Sequence, residues 1–428
     1  MREMKASGIE WIGEIPVDWE VSRIKQLFSE VNDRCENSEN YTLLSVSEYY
    51  GVALKSERIS DDDMLTHAET LDGYKICKEN DLVMNIMLAW KRAMGVSEYT
   101  GIVSPAYCIY RGKQNMCAKY FHYLFRTDMY ANLFKQYSTG IIDSRLRLYP
   151  DKFFALKCQV PPVDTQHRIA DYLDRKCSQI DAIIARQQEV IEKLKAYKLY
   201  VITEAVTKGL NPGVPMKDSG VEWIGEIPEH WVLNKLKYLS LDIGDGIHAT
   251  PTYDEDGNVY FVNGNNIGEE YLVFKEDTNT ISDTEYASYK LPLLTENTVF
   301  VTLNGATYGK TSFYHGEKIL LGKSAGFITL KPTESREFVR YYLQSYTAKL
   351  VMDLSLLGST IANLSLRTLR DFVIPYPPRE EQIKIVLYLS KRISGIDAAV
   401  SKKEKIVREL TDYKKSLIYE VVTGKKKV

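Results

Sequence analysis

The segment from Gly305 to Thr311 is the part of the sequence most similar to a phosphate-binding loop. A Walker A loop has four residues between its glycines, so that its backbone amides surround a phosphate. Gly305 and Gly309 are separated by only three residues, although Lys310 and Thr311 follow them as that motif requires. The spacing therefore predicts a glycine turn between two strands, and not a nucleotide site.

The other residues that could carry chemistry form no catalytic or metal-binding pattern. The six histidines include no H-E-x-x-H pair and the six cysteines no C-x-x-C pair, the spacings typical of zinc sites. We interpret the cysteines as reduced thiols and the histidines as surface or hydrogen-bonded residues. The acidic run Asp61 to Asp63 is predicted to be a solvated loop, and Asn211-Pro212-Gly213 a turn between domains.

Composition predicts a chain that folds in water and stays in the cytoplasm. Of 428 residues, 44% are hydrophobic, yet no run approaches the roughly 20 apolar residues of a membrane span. The amino terminus has acids and a Trp where a secretory signal has a basic segment and an apolar run. The net charge of −2 argues against a general polyanion binder but allows a local basic groove.

The sequence contains a long internal repeat. Met4 to Trp19 and Met216 to Trp231 are identical at 12 of 16 positions, and a second repeated pair begins at Pro161 and at Pro377. The order is therefore A-B-A-B, and the A blocks have nearly identical edges but different interiors. Two copies of one fold with different surfaces would produce this pattern.

The B blocks are predicted to be long helices that pair with each other. No Gly or Pro occurs between Pro162 and Gly209, and apolar residues recur at alternating spacings of four and three. The second copy has polar interruptions at equivalent positions, which favours one intramolecular two-helix coil over two helices packed on separate domains. The predicted seam is Ile169, Leu173, Lys176, Ile180, Ile183, Gln187, Val190, Leu194, Tyr197 and Val201, and in the second copy Ile385, Leu389, Arg392, Ile396, Ala399, Lys403, Ile406, Leu410, Tyr413 and Leu417.

The A interiors alternate short β-like runs with turns. Val299 to Leu303 and Gly326 to Leu330 are predicted strands, and Lys119 to Tyr137 and Phe338 to Met352 are predicted helices. An α/β domain of about 140 residues fits each interior. We therefore predict an α/β fold with a pseudo-twofold internal repeat, in which two α/β domains are separated by two long antiparallel coiled-coil helices.

The repeated motifs resemble the specificity subunit of type I restriction–modification systems. WIGEIPVDW and WIGEIPEHW are similar to the opening of that family's target recognition domains, and PPVDTQHRIADYL and PPREEQIKIVLYL to the PP-x-x-EQ start of its conserved helices. Gln166 and Gln382 match the family glutamine, and Glu381 the preceding acid, whereas Thr165 departs from it. The resemblance implies target recognition domains at 1–162 and 211–376, and helical spacers at 163–210 and 377–428.

The same resemblance implies the function and the partners. Each domain would read one half of a bipartite, non-palindromic target in double-stranded DNA, and the helices would set the gap and dock two modification subunits. Methylation with S-adenosylmethionine, and ATP- and Mg-dependent cleavage by restriction subunits, would belong to other chains, so this chain would need no cofactor and have no catalytic residue. The seam residues assigned to the helix pair and to partner binding are Ile169, Leu173, Ile180, Leu194, Ile385, Leu389, Ile396 and Leu410.

Candidate DNA-reading residues follow from residue type and predicted loop position. In the first domain they are Lys91, Arg92, Arg145 and Arg147, and in the second His248, Thr250, Asn265, Asn266, Tyr308, Lys310 and Arg367. Each has the alternative of being an ordinary solvated side chain, and Arg367 has the further alternative of an ion pair with Asp371. Residues 20 to 160 balance at 18 basic and 18 acidic side chains, and residues 232 to 376 have 13 and 17, which predicts weak DNA binding by the isolated chain.

Two other functions remain open at this point. One is a DNA-free coiled-coil scaffold that joins two protein-binding modules, and the other is a stand-alone methyltransferase or nuclease. The difference between the A interiors suits changing targets better than fixed partners, and the missing cofactor and metal motifs disfavour an enzyme.

Overall fold

Two units make up the chain, and each includes parts of two long helices. The computed structural model describes residues 3–57, 71–113, 115–305, 307–356 and 363–428. The first unit is Met1–Gln187 with Lys405–Val428, and the second is Gln188–Glu404.

Short strands alternate with helices in the first half of the chain. The strands are β1 (Met4–Ala6), β2 (Glu14–Pro16), β3 (Glu20–Arg23), β4 (Phe28–Val31), β5 (Leu44–Ser47), β6 (Gly51–Leu54), β7 (Lys75–Cys77), β8 (Leu82–Asn85), β9 (Met94–Val96), β10 (Gly101–Val103), β11 (Tyr107–Gly112) and β12 (Lys157–Val160). The helices are α1 (Ile24–Leu27), α2 (Ala118–Phe125), α3 (Asp128–Tyr137), α4 (Pro150–Ala155) and α5 (Val163–Lys208).

The second half has the same general order of elements. Its strands are β13 (Met216–Asp218), β14 (Glu226–Pro228), β15 (Val232–Lys235), β16 (Ser240–Gly244), β17 (Val259–Val262), β18 (Thr280–Ile281), β19 (Thr298–Thr302), β20 (Thr311–Phe313), β21 (Ile319–Leu321), β22 (Ala325–Leu330) and β23 (Val373–Tyr376). Its helices are α6 (Leu236–Leu239), α7 (Asp283–Ala287), α8 (Arg336–Leu343), α9 (Tyr346–Ser355), α10 (Leu366–Arg370) and α11 (Arg379–Val422).

Both units build a four-stranded antiparallel sheet in the same order. The order is β4-β11-β8-β9 in the first unit and β16-β22-β19-β20 in the second. Strand β19 reads Thr-Val-Phe-Val-Thr and is buried throughout, as its β-branched residues favour. The strands predicted at Val299 to Leu303 and Gly326 to Leu330 are confirmed as β19 and β22.

Gly305 and Gly309 lie between β19 and β20 with φ of +83° and +79°, so the predicted glycine turn is confirmed.

The single helices predicted at 119–137 and 338–352 are wrong, because each is two helices. The break is set by N-capping side chains: the hydroxyl of Thr127 accepts from the Tyr130 amide, and that of Ser345 from the Ala348 amide.

The smaller sheets differ between the units. The first unit has the separate pairs β5–β6 and β7–β10, whereas the second has a three-stranded sheet in the order β18-β17-β21. Strands β17 and β21 are parallel, with Phe261 opposite Leu320. These differences fall in the divergent interiors of the repeat.

Each unit buries the Trp that ends its WIGEIP-x-x-W motif against the carboxyl end of a long helix. Trp19 is fully buried in the first unit with Val421 and Val422 of α11, and the Tyr120 hydroxyl donates to the Val422 carbonyl at 3.0 Å. In the second unit, Trp231 is fully buried with Val206 of α5. The repeated ends of the chain are therefore core elements.

A glycine just after each helix leaves room for that Trp. A Cβ on Gly424 would lie 3.2 Å from the Trp19 ring, and one on Gly209 would lie 3.1 Å from the Trp231 ring. Both glycines have positive φ, +76° and +77°, which ends the helix in the left-handed conformation that glycine favours.

The two long helices run antiparallel within each unit. In the first unit Lys414 of α11 forms an ion pair with Asp181 of α5 at 2.6 Å, and in the second Lys198 of α5 pairs with Asp397 of α11 at 2.7 Å. The predicted pairing of the two helices is therefore confirmed.

The predicted seam is wrong at alternate positions. Leu173 and Ile180 are buried, but Lys176 is exposed and Ile183 is 47% exposed. The less exposed residues are instead one position further along the helix than predicted. Cys177 and Ile191 are buried, and Ile184 is half-buried. In a heptad pattern, the next buried residue can be three or four positions along the helix. Four positions after Leu173 the helix buries the apolar Cys177, whereas three positions after it the helix would bury Lys176. In α11, likewise, Ile393 is buried while Arg392 and Tyr413 are exposed.

The cysteines are buried free thiols, as predicted. Burial raises the pKa of Cys77 to about 12 and that of Cys177 to about 11, which keeps both protonated at neutral pH. Within the described residues, none of the helices has the length and apolarity needed to span a bilayer.

Candidate nucleic-acid interface

The glutamine of the PP-x-x-x-Q motif fixes the start of each long helix. The side-chain amide of Gln166 donates to the Pro161 carbonyl at 2.8 Å, and that of Gln382 donates to the Pro377 carbonyl at 3.0 Å. Both glutamines are 1% exposed. Since a buried carbonyl without a hydrogen bond is costly, this shared contact explains the motif as a structural one.

The residue before that glutamine is acidic only in the second unit. The Glu381 carboxylate accepts from the Trp231 indole at 2.9 Å and lies 2.6 Å from the His230 ring. Partial burial opposes ionisation, but these two hydrogen bonds prevail and lower the pKa of Glu381. Thr165, its counterpart, instead accepts from the Arg168 guanidinium at 2.9 Å. The repeated motifs thus serve the fold, and any reading side chains must lie in the divergent interiors.

Lys91 and Arg92 lie on the turn between β8 and β9, as predicted. Lys91 ends a 3-10 turn, and Arg92 follows it with a left-handed φ of +69° and an ion pair to Asp128. Arg126 stabilises this turn, because its guanidinium donates to the carbonyls of Arg92 and Met94, both at 2.7 Å.

The same guanidinium also holds the hairpin between β5 and β6. It donates to the Glu48 carbonyl at 3.1 Å and to the Tyr49 carbonyl at 3.0 Å, and the Tyr49 side chain is 84% exposed at the tip. Burial and the nearby Arg92 lower the pKa of Arg126 to about 10, so it remains charged at neutral pH. Sequence reasoning missed Arg126, because no local pattern reveals an arginine that donates to carbonyls 34 and 78 residues away.

A string of contacts joins the Lys91 turn to the loop that carries Arg145 and Arg147. Lys91 and Lys135 both lie over the Trp90 ring, 5.3 and 4.8 Å from its centroid. Lys135 pairs at 2.8 Å with Asp143, which begins the 3-10 turn ending at Arg145. We call Lys91, Lys135, Arg145, Arg147 and the loop at 138–148 the first-unit surface.

In the second unit, three loops meet at one edge of the sheets. Ile247 donates its amide to the Leu321 carbonyl at 2.7 Å, which joins the His248 loop to the turn between β21 and β22. On that turn, the Ser324 hydroxyl accepts from the Gly264 amide at 2.9 Å, which holds the turn carrying Asn265.

The His248 loop and the β21–β22 turn border a cavity of about 290 Å³, together with Asn304 and the segment at 363–366. Polar groups of Asp245, His248, Asn304, Lys323 and Ser365 line it, and the Asn304 amide oxygen is buried without a hydrogen-bond partner in the described residues. The His248 ring lies 2.8 Å from the Asp245 carboxylate. We call His248, Asn265, Asn304 and Lys323 the second-unit surface.

Two residues of that surface escaped the sequence analysis. Lys323 is exposed on the β21–β22 turn, and Asn304 lies two residues after the end of β19. A polar residue at the end of a predicted strand was the available signal for Asn304. Lys323 is brought to His248 by the parallel bridge between Ile247 and Gly322, which the sequence pattern did not indicate.

Three other second-unit residues that were predicted to contact DNA have exposed side chains. Thr250, Lys310 and Arg367 are exposed. Arg367 makes no ion pair with a described residue, and the alternative pairing with Asp371 is wrong, because Lys235 and Lys237 occupy that carboxylate at 3.5 and 2.9 Å.

Asn266 and Tyr308 are already engaged. The Asn266 side chain accepts from the Asn263 amide at 2.9 Å and donates to the Val273 carbonyl at 3.1 Å. The Tyr308 hydroxyl donates to the Asp353 carboxylate. Both side chains therefore shape their turns in this structure.

Side chains that could bind a metal ion do not cluster among the described residues. Among the described residues, no three His, Cys, Asp or Glu side chains come together as a metal site would require. The acidic run Asp61 to Asp63 lies outside the described residues.

Known proteins match this chain along most of its length. Residues 244–408 match the family described as the type I restriction modification DNA specificity domain. The putative MjaX specificity subunit of Methanocaldococcus jannaschii is 25% identical, covering 97% of this chain and 96% of that protein. The EcoKI specificity subunit of Escherichia coli K12 is 19% identical over 96% of this chain and 90% of its own.

Solved structures share the fold. A chain from a structure of the type I R-M system aligns with a TM-score of 0.68 and 15% identity, covering 95% of this chain and 98% of that one. The HsdS subunit from Thermoanaerobacter tengcongensis aligns with a TM-score of 0.51 and 16% identity over 96% and 98%. These matches confirm the resemblance that the repeated motifs indicated: the chain is similar, over nearly its whole length, to the specificity subunits of type I restriction enzymes.

Proposed function

We propose that this chain is the DNA-recognition subunit of a type I restriction–modification complex in the cytoplasm. Each unit reads one half of a bipartite, non-palindromic target, and separate subunits carry out methylation and restriction. The observation that carries this proposal is the pairing of one repeated framework with two different loop surfaces. A framework that stays constant while its exposed side chains change suits the reading of two different half-sites.

The first-unit surface has the side chains that duplex DNA attracts. Lys91 and Arg145 are exposed, and Arg145 has no ion-pair partner among the described residues. Lysine and arginine bind phosphates, and arginine also reads guanine in the major groove with two hydrogen bonds. We assign phosphate contacts to Lys91, and base or phosphate contacts to Arg145 and Arg147. Arg92, which is paired with Asp128, has a weaker claim.

The second-unit surface offers amide and imidazole groups with fewer charges. Asn265 is exposed and Asn304 lines the cavity, and an asparagine amide can pair with an adenine edge through two hydrogen bonds. Lys323 provides the nearby positive charge. We propose that this unit reads its half-site mainly through hydrogen bonds from His248, Asn265 and Asn304, with Thr250, Lys310 and Arg367 at the periphery.

The long helices set the gap between half-sites and dock two modification subunits in this proposal. The domain limits follow the sequence prediction, with recognition domains at 1–162 and 211–376 and spacers at 163–210 and 377–428. Support for docking comes from apolar side chains that the chain leaves in water: on α11, Ile383 is 48% exposed and Leu387 is 65% exposed.

The experiment that tests this function is methylome sequencing of cells that carry the locus with and without this chain. The proposal predicts that adenine methylation disappears from one bipartite motif when the chain is deleted and returns on complementation. A methylome that does not depend on the chain, in cells whose modification subunit is active, would favour a DNA-free scaffold instead.

A further inference from the structure

Two adjacent isoleucines of the first-unit surface project into solvent. Ile141 is 100% exposed and Ile142 is 54% exposed. Burying an isoleucine side chain stabilises a fold or a complex, so a loop that exposes two of them forgoes a substantial gain. Such a pair is unusual next to a core that buries other apolar residues of the same loop, Leu146 and Leu148.

The loop that carries them is held firmly at its base. Thr139 and Arg147 pair through two backbone hydrogen bonds of 2.9 Å, and the Leu148 amide donates to the Ile86 carbonyl at 2.9 Å. Gly140 fits tightly against the returning strand, since a Cβ there would lie 2.6 Å from the Arg145 carbonyl oxygen. The isoleucines therefore stand at the tip of an anchored loop.

Positive charge lies close to this apolar tip. Arg145 follows it within the loop and is exposed, Arg147 pairs with Thr139 at the base of the loop, and Lys135 is held beside the loop by its ion pair with Asp143. That ion pair already occupies Asp143, the acidic residue of the loop. An apolar tip next to cations complements a partner with an anionic exterior and an apolar interior, and duplex DNA is such a partner because its stacked bases lie between phosphates.

We propose that Ile141 and Ile142 form a wedge that enters between two stacked base pairs of the first half-site. The inference rests on the proposed function and makes it more specific. Arg145 and Arg147 contact nearby phosphates, and the wedge partly unstacks one base step. Because pyrimidine–purine steps unstack most easily, the wedge favours a TA or CA step at that position.

The test uses the complex of this chain with its modification subunits and a synthetic duplex that carries the motif found by methylome sequencing. A 2-aminopurine is placed in turn at each purine of the first half-site, because its fluorescence rises when it leaves the stack. We expect a several-fold rise at one step with the unchanged chain and its loss with the double variant Ile141→Ser, Ile142→Ser. Affinity should fall roughly 10-fold, as expected for losing the burial of about one isoleucine.

The matched control is Leu293→Ser, which removes an apolar side chain that is 53% exposed in the second unit, outside both surfaces and both long helices, and should leave both fluorescence and affinity unchanged. The wedge is overturned, with DNA recognition intact, if the complex binds the duplex but no position brightens, or if the double variant brightens it equally. It is also overturned if the double variant loses its modification subunits, since the isoleucines would then contact protein. Failure to bind any duplex, together with a methylome independent of the chain, overturns the proposed function itself.

Discussion

The first and second units hold the ends of their long helices in the same way, but they expose different side chains. Trp19 and Trp231 are both fully buried against a helix end, and Gln166 and Gln382 make the same bond to a proline carbonyl. The first-unit surface presents lysines, arginines and isoleucines, whereas the second-unit surface presents His248, Asn304 and Lys323 around a cavity and Asn265 on a neighbouring turn. The comparison shows that the repeated residues support the framework and the divergent residues determine what each unit contacts.

The largest expected effect comes from removing the buried tryptophans. Trp19→Ala and Trp231→Ala should each lower the free energy of unfolding of their own unit by about 3–5 kcal/mol, because each leaves a large cavity under a helix end. Urea unfolding followed by hydrogen exchange of each unit measures this. Trp223→Ala is the control, since Trp223 is 38% exposed and should cost clearly less. Unequal effects at the two buried positions would contradict the shared framework.

The glutamines should show a smaller effect that separates the units. Gln166→Ala should destabilise the first unit by about 1–3 kcal/mol, since it leaves two buried backbone groups unsatisfied. Gln166 serves two buried backbone groups, the Pro161 carbonyl and the Cys117 amide. Gln382 serves one, the Pro377 carbonyl, and also contacts the Tyr376 hydroxyl, which keeps Glu334 as a partner, so Gln382→Ala should cost less. The same unfolding measurement applies, with the exposed Gln188→Ala as control. A greater loss at Gln382 would contradict this reading.

Acid should weaken the first unit through His122. Burial, together with Arg126 and Lys119 nearby, lowers the pKa of His122 to about 3, and its Nδ1 accepts from the Val96 amide at 3.1 Å. The unfolded chain takes up this proton near pH 6.5 while the folded chain does not, so stability falls as the pH drops from 6.5 towards 3. Between pH 7.5 and 5.5 the loss is about 1.4 kcal/mol.

This dependence should disappear in His122→Gln, whose side chain retains an acceptor for the Val96 amide. Helix α8 has no histidine, so the amides around it serve as an internal reference for hydrogen exchange. An unchanged pH slope in the variant would show that His122 is not its source.

The smallest effect concerns the ion pairs between the helices. Lys414→Ala in the first unit and Lys198→Ala in the second should each cost about 0.2–1 kcal/mol, because both pairs are partly exposed. Double-mutant cycles with Asp181→Ala and Asp397→Ala measure the coupling. Raising the salt concentration should reduce both couplings, and a coupling that appears in one unit alone would show that the helices pair differently there.

The sequence predicted the framework well, because repeats and hydrophobic periodicity are visible along the chain. It placed β19, β22 and the Gly305–Gly309 turn correctly. The prediction was wrong where the apolar pattern fitted either of two neighbouring residues as the buried one, as at Lys176 and Cys177 in the helix seam. It also missed the caps at Thr127 and Ser345, because an apolar pattern continues across both breaks.

The surfaces were less accessible to sequence reasoning. Lys91 and Arg145 were found from residue type and position, and their roles stay predictions. Arg126, Lys323 and Asn304 were missed, because their positions depend on contacts between segments far apart in the chain. The engagement of Asn266 with the Val273 carbonyl likewise appears only once the turn is folded.

Methylome sequencing with unit-specific variants tests most directly whether each unit reads its own half-site. One strain carries Arg145→Ala with Arg147→Ala, and the other carries His248→Ala with Lys323→Ala. Our account predicts that each pair relaxes or weakens one half of the bipartite motif, a different half in each strain, and leaves the other half and the gap unchanged. If either pair altered both halves together, or if neither altered the motif, separate reading by these two surfaces would be contradicted.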